Sequence, residues 1–269
     1  MLIVGSQGAG KYYLAEAIAA ALLKIPTNTS PQGYPYFFHL HKADGKQDIP
    51  IDDVRSLISQ LQLKTPGSSS TVRRVVIVED AHLLSIPAQN AMLKTLEEPA
   101  ADTVFLLTVP YRQSILPTVA SRLHILNLLP VPLAVSLAHY PQLPKARIEP
   151  AWRFSRGSAG LLSALINNLE GHELKRAVEE VKVLLKQNHF ERLLKIEQWS
   201  KDRAHLSLIL EAFSRMLVLM HQGAIGRRQS NQAIKLLQAR QLIADCKKLL
   251  AGNASTRLIG LELVLKLKI

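Results

Sequence analysis

The sequence has a single cysteine, Cys246, in 269 residues. One cysteine forms neither an internal disulfide nor a cysteine-based zinc site, so no metal site is expected. Aromatic residues are scarce, at 5%. That excludes a basic platform interleaved with aromatics, the arrangement on which nucleic-acid bases stack. No uninterrupted apolar run reaches the ~18 residues of a membrane span. The N-terminus, MLIVGSQGAGK, lacks the basic start and cleavage region of a signal peptide. A cytoplasmic protein without membrane association is therefore expected. Acidic residues are also few: 21 Asp and Glu stand against 33 Lys and Arg, for a net charge of +12. A basic excess on a folded chain favours a polyanionic partner, nucleic acid first. Plain solubility charge is the alternative.

What is present is aliphatic. The chain is 48% hydrophobic and long enough for two or three modest domains. Residues 2–4, LIV, read as a short strand followed by a Gly-rich loop. Leu14, Ile18, Leu22 and Ile25 repeat at helical spacing up to about Lys24, and Pro26 stops that helix. Proline and turn residues fill 26–36, and 36–40 forms a strand. A helix opens at Ile51 with Val54, Leu57, Ile58 and Leu61 as its apolar face. TPGSSS at 65–70 reads as a flexible break. In VRRVVIVED, the run Val75–Val78 is continuously apolar, the mark of a strand buried on both faces. A helix over 87–98 (Ala88, Ala91, Met92, Thr95) and buried strands at 104–109 and 123–128 follow.

Strands alternating with helices predict a parallel α/β sheet. From about residue 151 only helical patterns remain: Leu174, Val178, Val181, Leu185; then Leu208, Ala212, Arg215, Leu219; then Ile234, Leu237, Leu242, Leu249; then 258–267.

Three stretches carry chemistry. Gly5-Ser6-Gln7-Gly8-Ala9-Gly10-Lys11 has the G-x(4)-G-K spacing, with a strand before it and a helix after. Its glycines let backbone N–H groups turn toward phosphate oxygens, and Lys11 would neutralise the β- and γ-phosphates. The next position needs a small alcohol to hold Mg²⁺, but Tyr12 stands there. Its hydroxyl, at the end of a rigid ring, cannot reach that ion. A loop that keeps its shape and has lost its ligand stays an open reading. The second stretch, VVIVEDAH, ends a hydrophobic strand in Glu79 and Asp80. A metal-binding Asp followed by a water-activating Glu belongs at such a strand end. The reversed order misplaces both sets of oxygens, which is costly for proton transfer; acids that merely cap a strand are the other reading. The third is Ser121-Arg122, where an arginine could project toward a neighbour's γ-phosphate or simply form a surface ion pair.

Taken together, DIPIDDVRSLISQLQLKTPGSSSTVRRVVIVEDAHLLSIPAQNAMLKTLEEP and TVFLLTVPYRQSILPTVASRL resemble the AAA+ subunits of bacterial DNA polymerase III clamp loaders, the delta-prime type above all. The likeness covers about residues 1–165. It implies an α/β AAA+ phosphate-loop core over 1–128, a small helical lid over 129–168 and an all-helical collar over 169–269. It also implies a degenerate nucleotide site at Gly5, Gly8, Gly10, Lys11, Glu79, Asp80 and Thr108, the last near the sensor-1 position. Ser121 and Arg122 match the Ser-Arg-Cys motif with Leu123 in place of Cys, and Arg122 would act as an arginine finger in a neighbouring subunit's site.

The chain departs from the pattern elsewhere. Gly160-Leu161 occupies the place of the sensor-2 arginine. Residues 26–50 lack the four-cysteine zinc module, and the segment that normally precedes the first strand and helps hold adenine has no counterpart. The resemblance thus implies a non-catalytic subunit of a hetero-oligomeric ring that helps load a sliding clamp on primed DNA. DNA would be contacted through backbone phosphates, and ATP bound without hydrolysis is the one cofactor allowed. An ATP-hydrolysing motor subunit and an AAA+-derived DNA-binding adaptor are the alternatives.

Overall fold

The computed structural model describes residues 1–26, 29–43, 46, 48–63, 72–169, 171–252 and 254–267. The 65–70 break lies outside the described residues. The chain divides into two units, Met1–Leu129 and Pro130–Ile269.

The first unit runs β1 (Leu2–Val4), α1 (Lys11–Leu22), β2 (Phe37–Leu40), α2 (Ile51–Gln62), β3 (Arg74–Val78), α3 (Ile86–Glu97), β4 (Thr103–Val109), α4 (Pro117–Ala120) and β5 (Ile125–Asn127). The five strands form one sheet in the order β2-β3-β4-β1-β5, and every pair is parallel. The pleat explains the apolar run in β3. Val75 and Ile77 join Ile3, Leu106 and the alanines of α1 on one face. Val76 and Val78 join Leu2, Phe105, Leu107 and Val109 against α2 and α3 on the other. Both faces are covered, so no residue of the strand can be polar outward. Arg74 is the apparent exception. It is buried, pairs with Asp102 at 2.7 Å and donates to the carbonyl of Leu61 at 2.5 Å. The cation thereby meets carbonyls at the C-terminal end of α2 as well as a carboxylate.

Two expectations shift here. The buried face of α1 centres on Ala15 and Ala19, with Leu14, Ile18, Leu22 and Ile25 only flanking it. Small side chains let the helix lie close to the sheet, and the leucines reach in from its sides. The strand expected to be buried at 123–128 is short, Ile125–Asn127, and exposed throughout. It lies at the sheet edge beyond β1, and edge position decides exposure more than composition does.

The second unit consists of α5 (Leu133–His139), α6 (Lys145–Ser155), α7 (Ala159–Ile166), α8 (Glu173–Lys186), α9 (His189–Trp199), α10 (Arg203–Gly226), α11 (Ser230–Ala251) and α12 (Thr256–Lys266). Helices therefore begin before residue 151. Asn188 and Glu191 form a reciprocal capping box that starts α9, a helix the apolar spacing alone does not reveal. A large core joins α8, α10, α11 and α12 around Phe213, Ile209, Val181 and Cys246. A small separate core holds Ile148, Leu162 and Ile166.

Helix α10 is long and apolar enough to cross a membrane by length and composition. Its role here is that of a core helix. Leu206, Ile209, Leu210, Phe213 and Leu217 are buried in protein, and Glu211 and Arg215 pair at 2.7 Å within it. The apolar face of α11 is Leu236, Ala239, Ile243, Cys246 and Leu250. The expected face is wrong: Ile234, Leu237 and Leu249 are exposed. Both stripes have helical spacing, and contact with α10 selects between them.

Cys246 is a free, buried thiol, pushed up to about 11 by burial and by the nearby Glu262 and Asp245 carboxylates. Gly260 on α12 lies so close to α9 that an added Cβ would meet Ile196 Cγ2 and Ser200 Oγ at 2.5 Å. Overpacking of this kind costs about 1–3 kcal/mol. Gly260→Ala is expected to lower the urea midpoint accordingly, and an unchanged midpoint would mean the two helices can separate freely.

Candidate nucleotide site

Parallel strands place their C-terminal ends on one side of the sheet, where ligands of such folds bind. The glycine loop, the acids after β3 and Thr108 of β4 meet there. The loop after β1 turns at Gly8 and Gly10, with φ of 80° and 88°. That left-handed backbone is strained for any residue with a Cβ. Gly10 caps α1, and Lys11 is its first residue, 9% exposed. The Lys11 ammonium donates to the Ser6 carbonyl at 3.4 Å, closing the loop on itself. Burial lowers its pKa, against the pull of Asp80 and then Glu79.

Asp80 follows β3 with φ 47°, and its N–H donates to Thr108 Oγ1 on β4 at 2.9 Å. Thr108 is buried. Thus Gly8, Gly10, Lys11, Glu79, Asp80 and Thr108 are brought to one strand-end cluster, with Gly5 at its root. There, a Cβ on Gly5 would approach that of Leu128 to 3.0 Å.

The phosphate half of a nucleotide fits these residues: a left-handed glycine loop, a helix N-terminus and a buried lysine. The magnesium half does not. The Tyr12 hydroxyl accepts from Gln32 Nε2 at 3.1 Å, and its ring lies on His39 with centroids 4.8 Å apart. His39 stacks in turn on His41 at 4.6 Å. Its Nε2 is 3.0 Å from Glu79 Oε2. The two groups that hydrolysis would require at Tyr12 and Glu79 are therefore engaged with Gln32 and His39. His82, just past Asp80, has a buried Nδ1 without a hydrogen-bond partner; the Asp80 carboxylate at 3.9 Å is beyond bonding distance. Burial lowers the His82 pKa, opposed by Asp80 and reinforced by Lys11. An imidazole with an unmet nitrogen lies beside this cluster.

Sequence reasoning missed Gln32 and His39. Pairing of β2 with β3 sets His39 opposite Ile77, so its side chain meets the next same-face residue, Glu79. Nothing local in the sequence announces that register.

Ser121 and Arg122 do not join this cluster among the described contacts. Ser121 Oγ donates to the Thr118 carbonyl at 3.1 Å. Arg122 Nη1 donates to the same carbonyl at 2.8 Å, and Nη2 lies 3.3 Å from Glu97 Oε1 at the end of α3. Arg122 is held at the surface, with its side chain 30% exposed.

Residues 1–132 match the family model described as DNA polymerase III, delta subunit. The chain is 32% identical over 205 residues to the DNA polymerase III subunit delta' of Pseudomonas aeruginosa, covering 69% of this chain and 61% of that one. It is 35% identical over 135 residues to the subunit delta' of Escherichia coli, covering 49% and 40%. The chain is delta-prime-like. It spans less than two thirds of the length of either relative. Among solved structures, a DNA polymerase III gamma subunit-related protein of Thermotoga maritima superposes with a TM-score of 0.53 at 17% identity, covering 98% of this chain and 92% of that one. That agreement concerns the fold alone: a parallel α/β core and a helical C-terminal region. The family-model match covers the first unit, which carries the loop, both acids and Arg122.

Proposed function

We propose that the chain is a non-catalytic subunit of a DNA polymerase III clamp loader. It lends its AAA+ core to a ring of related subunits and presents Arg122 to a neighbour's nucleotide. The observation that carries the non-catalytic reading is the engagement of Tyr12 with Gln32 and His39. Without a small alcohol there, and with Glu79, which stands at the metal-binding position, held by His39, the metal lacks both of its protein partners, and the shorter Asp80 stands at the water-activating position. The glycine loop and Lys11 would still hold phosphate. A bound nucleotide supplies rigidity and an anion at the helix N-terminus, with no chemistry of its own.

The partners in this reading are other clamp-loader AAA+ subunits, the sliding clamp and primed DNA in the cytoplasm. The net charge of +12 supports DNA contact through phosphates, with affinity falling steeply as salt rises. The small core around Ile148 supports a lid over 129–168, and the large core supports a collar over 169–269.

Calorimetry with ATP, with and without Mg²⁺, tests this on the isolated chain. The expected result is no turnover and binding that Mg²⁺ does not strengthen. Lys11→Ala is expected to weaken any binding by about tenfold or more, as loss of a charge-assisted contact does. Turnover that disappears in Lys11→Ala would reverse the assignment to an ATP-hydrolysing motor.

A further inference from the structure

The second unit contains a basic pocket that the clamp-loader reading does not use. Helices α10 and α11, with Arg156 at the end of α6, enclose a concavity of about 440 Å³. Arg156, Arg240 and Lys247 line it, with Val218, Leu237 and Ala244 between them and no carboxylate among the lining residues. Glu211 beside it is already shared: Lys247 Nζ donates to one oxygen at 2.6 Å and Arg215 Nε to the other at 2.7 Å. Arg240 Nη1 lies 2.7 Å from His221 Nδ1, and Arg156 Nη2 donates to the Ser214 carbonyl at 3.3 Å. Four cations thus gather around the Glu211 carboxylate, while the lining Gln241 donates to Asp245 at 3.0 Å. Burial lowers the Arg156 pKa, with Arg215 and Arg240 acting against Glu211 in the same direction. Like charges gathered partly out of water are unfavourable unless an anion joins them.

The aliphatic residues narrow the choice of anion. Leu237 and Ile234 are more than half exposed. They stand one turn apart on α11, on the side that also carries Arg240, Ala244 and Lys247. A helix that offers aliphatic side chains at i, i+3 and i+7 flanked by acids matches this arrangement. Guanidinium forks suit carboxylates. A nucleic-acid strand would have no use for the aliphatic floor, and the pocket has no aromatic ring on which a base could stack.

We propose that this α10–α11 face binds an acidic, aliphatic helix of a partner polypeptide. The site depends on neither Arg122 nor the phosphate loop.

The test uses the full-length chain and a fluorescein-labelled helical peptide with leucine at i, i+3 and i+7 between glutamates. Fluorescence anisotropy is expected to detect binding to the wild type. Arg240→Glu and Leu237→Asp should each weaken it about tenfold or more, and replacing the peptide's glutamates by glutamine should do the same. Leu237 is exposed, so its variant keeps its fold, checked by circular dichroism and thermal melting. Failure of the wild type to bind the peptide, or equal binding by both variants, overturns the proposal. It is also overturned if Arg240→Glu spares the peptide and instead loses a labelled duplex DNA or phosphatidylglycerol vesicles.

Discussion

Arg122→Ala in a reconstituted clamp loader is expected, on the proposed trans role, to lower DNA-stimulated ATP turnover by about 10³-fold at the site the arginine would complete, the scale set by arginine fingers in phosphoryl transfer. The structure makes this residue suited to such a role without binding it to one. Its guanidinium rests on a backbone carbonyl of α4 and on Glu97 at 3.3 Å. With both side chains partly solvated, such a pair is worth at most about 1 kcal/mol. A neighbour's γ-phosphate, more highly charged and less solvated, would outcompete Glu97. The isolated variant should therefore melt almost as the wild type does, while the assembled one fails to turn over. Glu97→Gln separates positioning from chemistry. It removes the resting partner and leaves Arg122 intact, so turnover should persist within a few-fold. Unchanged turnover in Arg122→Ala would remove the residue from the reaction, and a large loss of stability would recast it as structural.

Much of the first unit was legible in the sequence because its signals are local. The glycine loop, the apolar run of β3 and the strand-end acids each lie within a few residues, and parallel α/β topology gathers them at one sheet edge. What stayed hidden depends on register and neighbours. His39 reaches Glu79 only because β2 pairs with β3. The sequence marks Tyr12 as unable to hold a metal, but not that Gln32 would hold its hydroxyl. In the second unit, α11 offers two aliphatic stripes at helical spacing, and the buried one carries Ala239 and Cys246 among Leu236, Ile243 and Leu250. Periodicity finds a helix there; packing alone selects its buried side, and Leu237 of the stripe left outside lines the basic pocket.

Glu211→Gln is expected to destabilise the second unit by about 3–5 kcal/mol, the usual result of removing one charge from a buried pair. Glu211 lies on a core helix between Arg215, whose side chain is 3% exposed, and Lys247. Burial alone would raise its pKa, but the Lys247 hydrogen bond and charge and then the Arg215 charge and hydrogen bond outweigh it, so the folded value is depressed. The sign follows. A carboxyl more acidic when folded contributes stability at pH values above its unfolded pKa, and that contribution is lost as pH falls through the folded value. Wild-type stability should thus decline on acidification, and the glutamine variant should decline less from a lower starting point.

Both tryptophans, Trp152 and Trp199, lie in the second unit, and Trp199 is buried. Urea unfolding followed by tryptophan fluorescence therefore reports this unit rather than the α/β unit. The same substitution removes the carboxylate shared by Lys247 and Arg215 beside the basic pocket. Stability and affinity should then move in opposite directions: the unit becomes easier to unfold, while the acidic peptide binds more tightly because Lys247 and Arg215 no longer share their charge with Glu211. A variant that loses stability and peptide binding together would mean that Glu211 shapes the pocket, so that its role there is not to neutralise it.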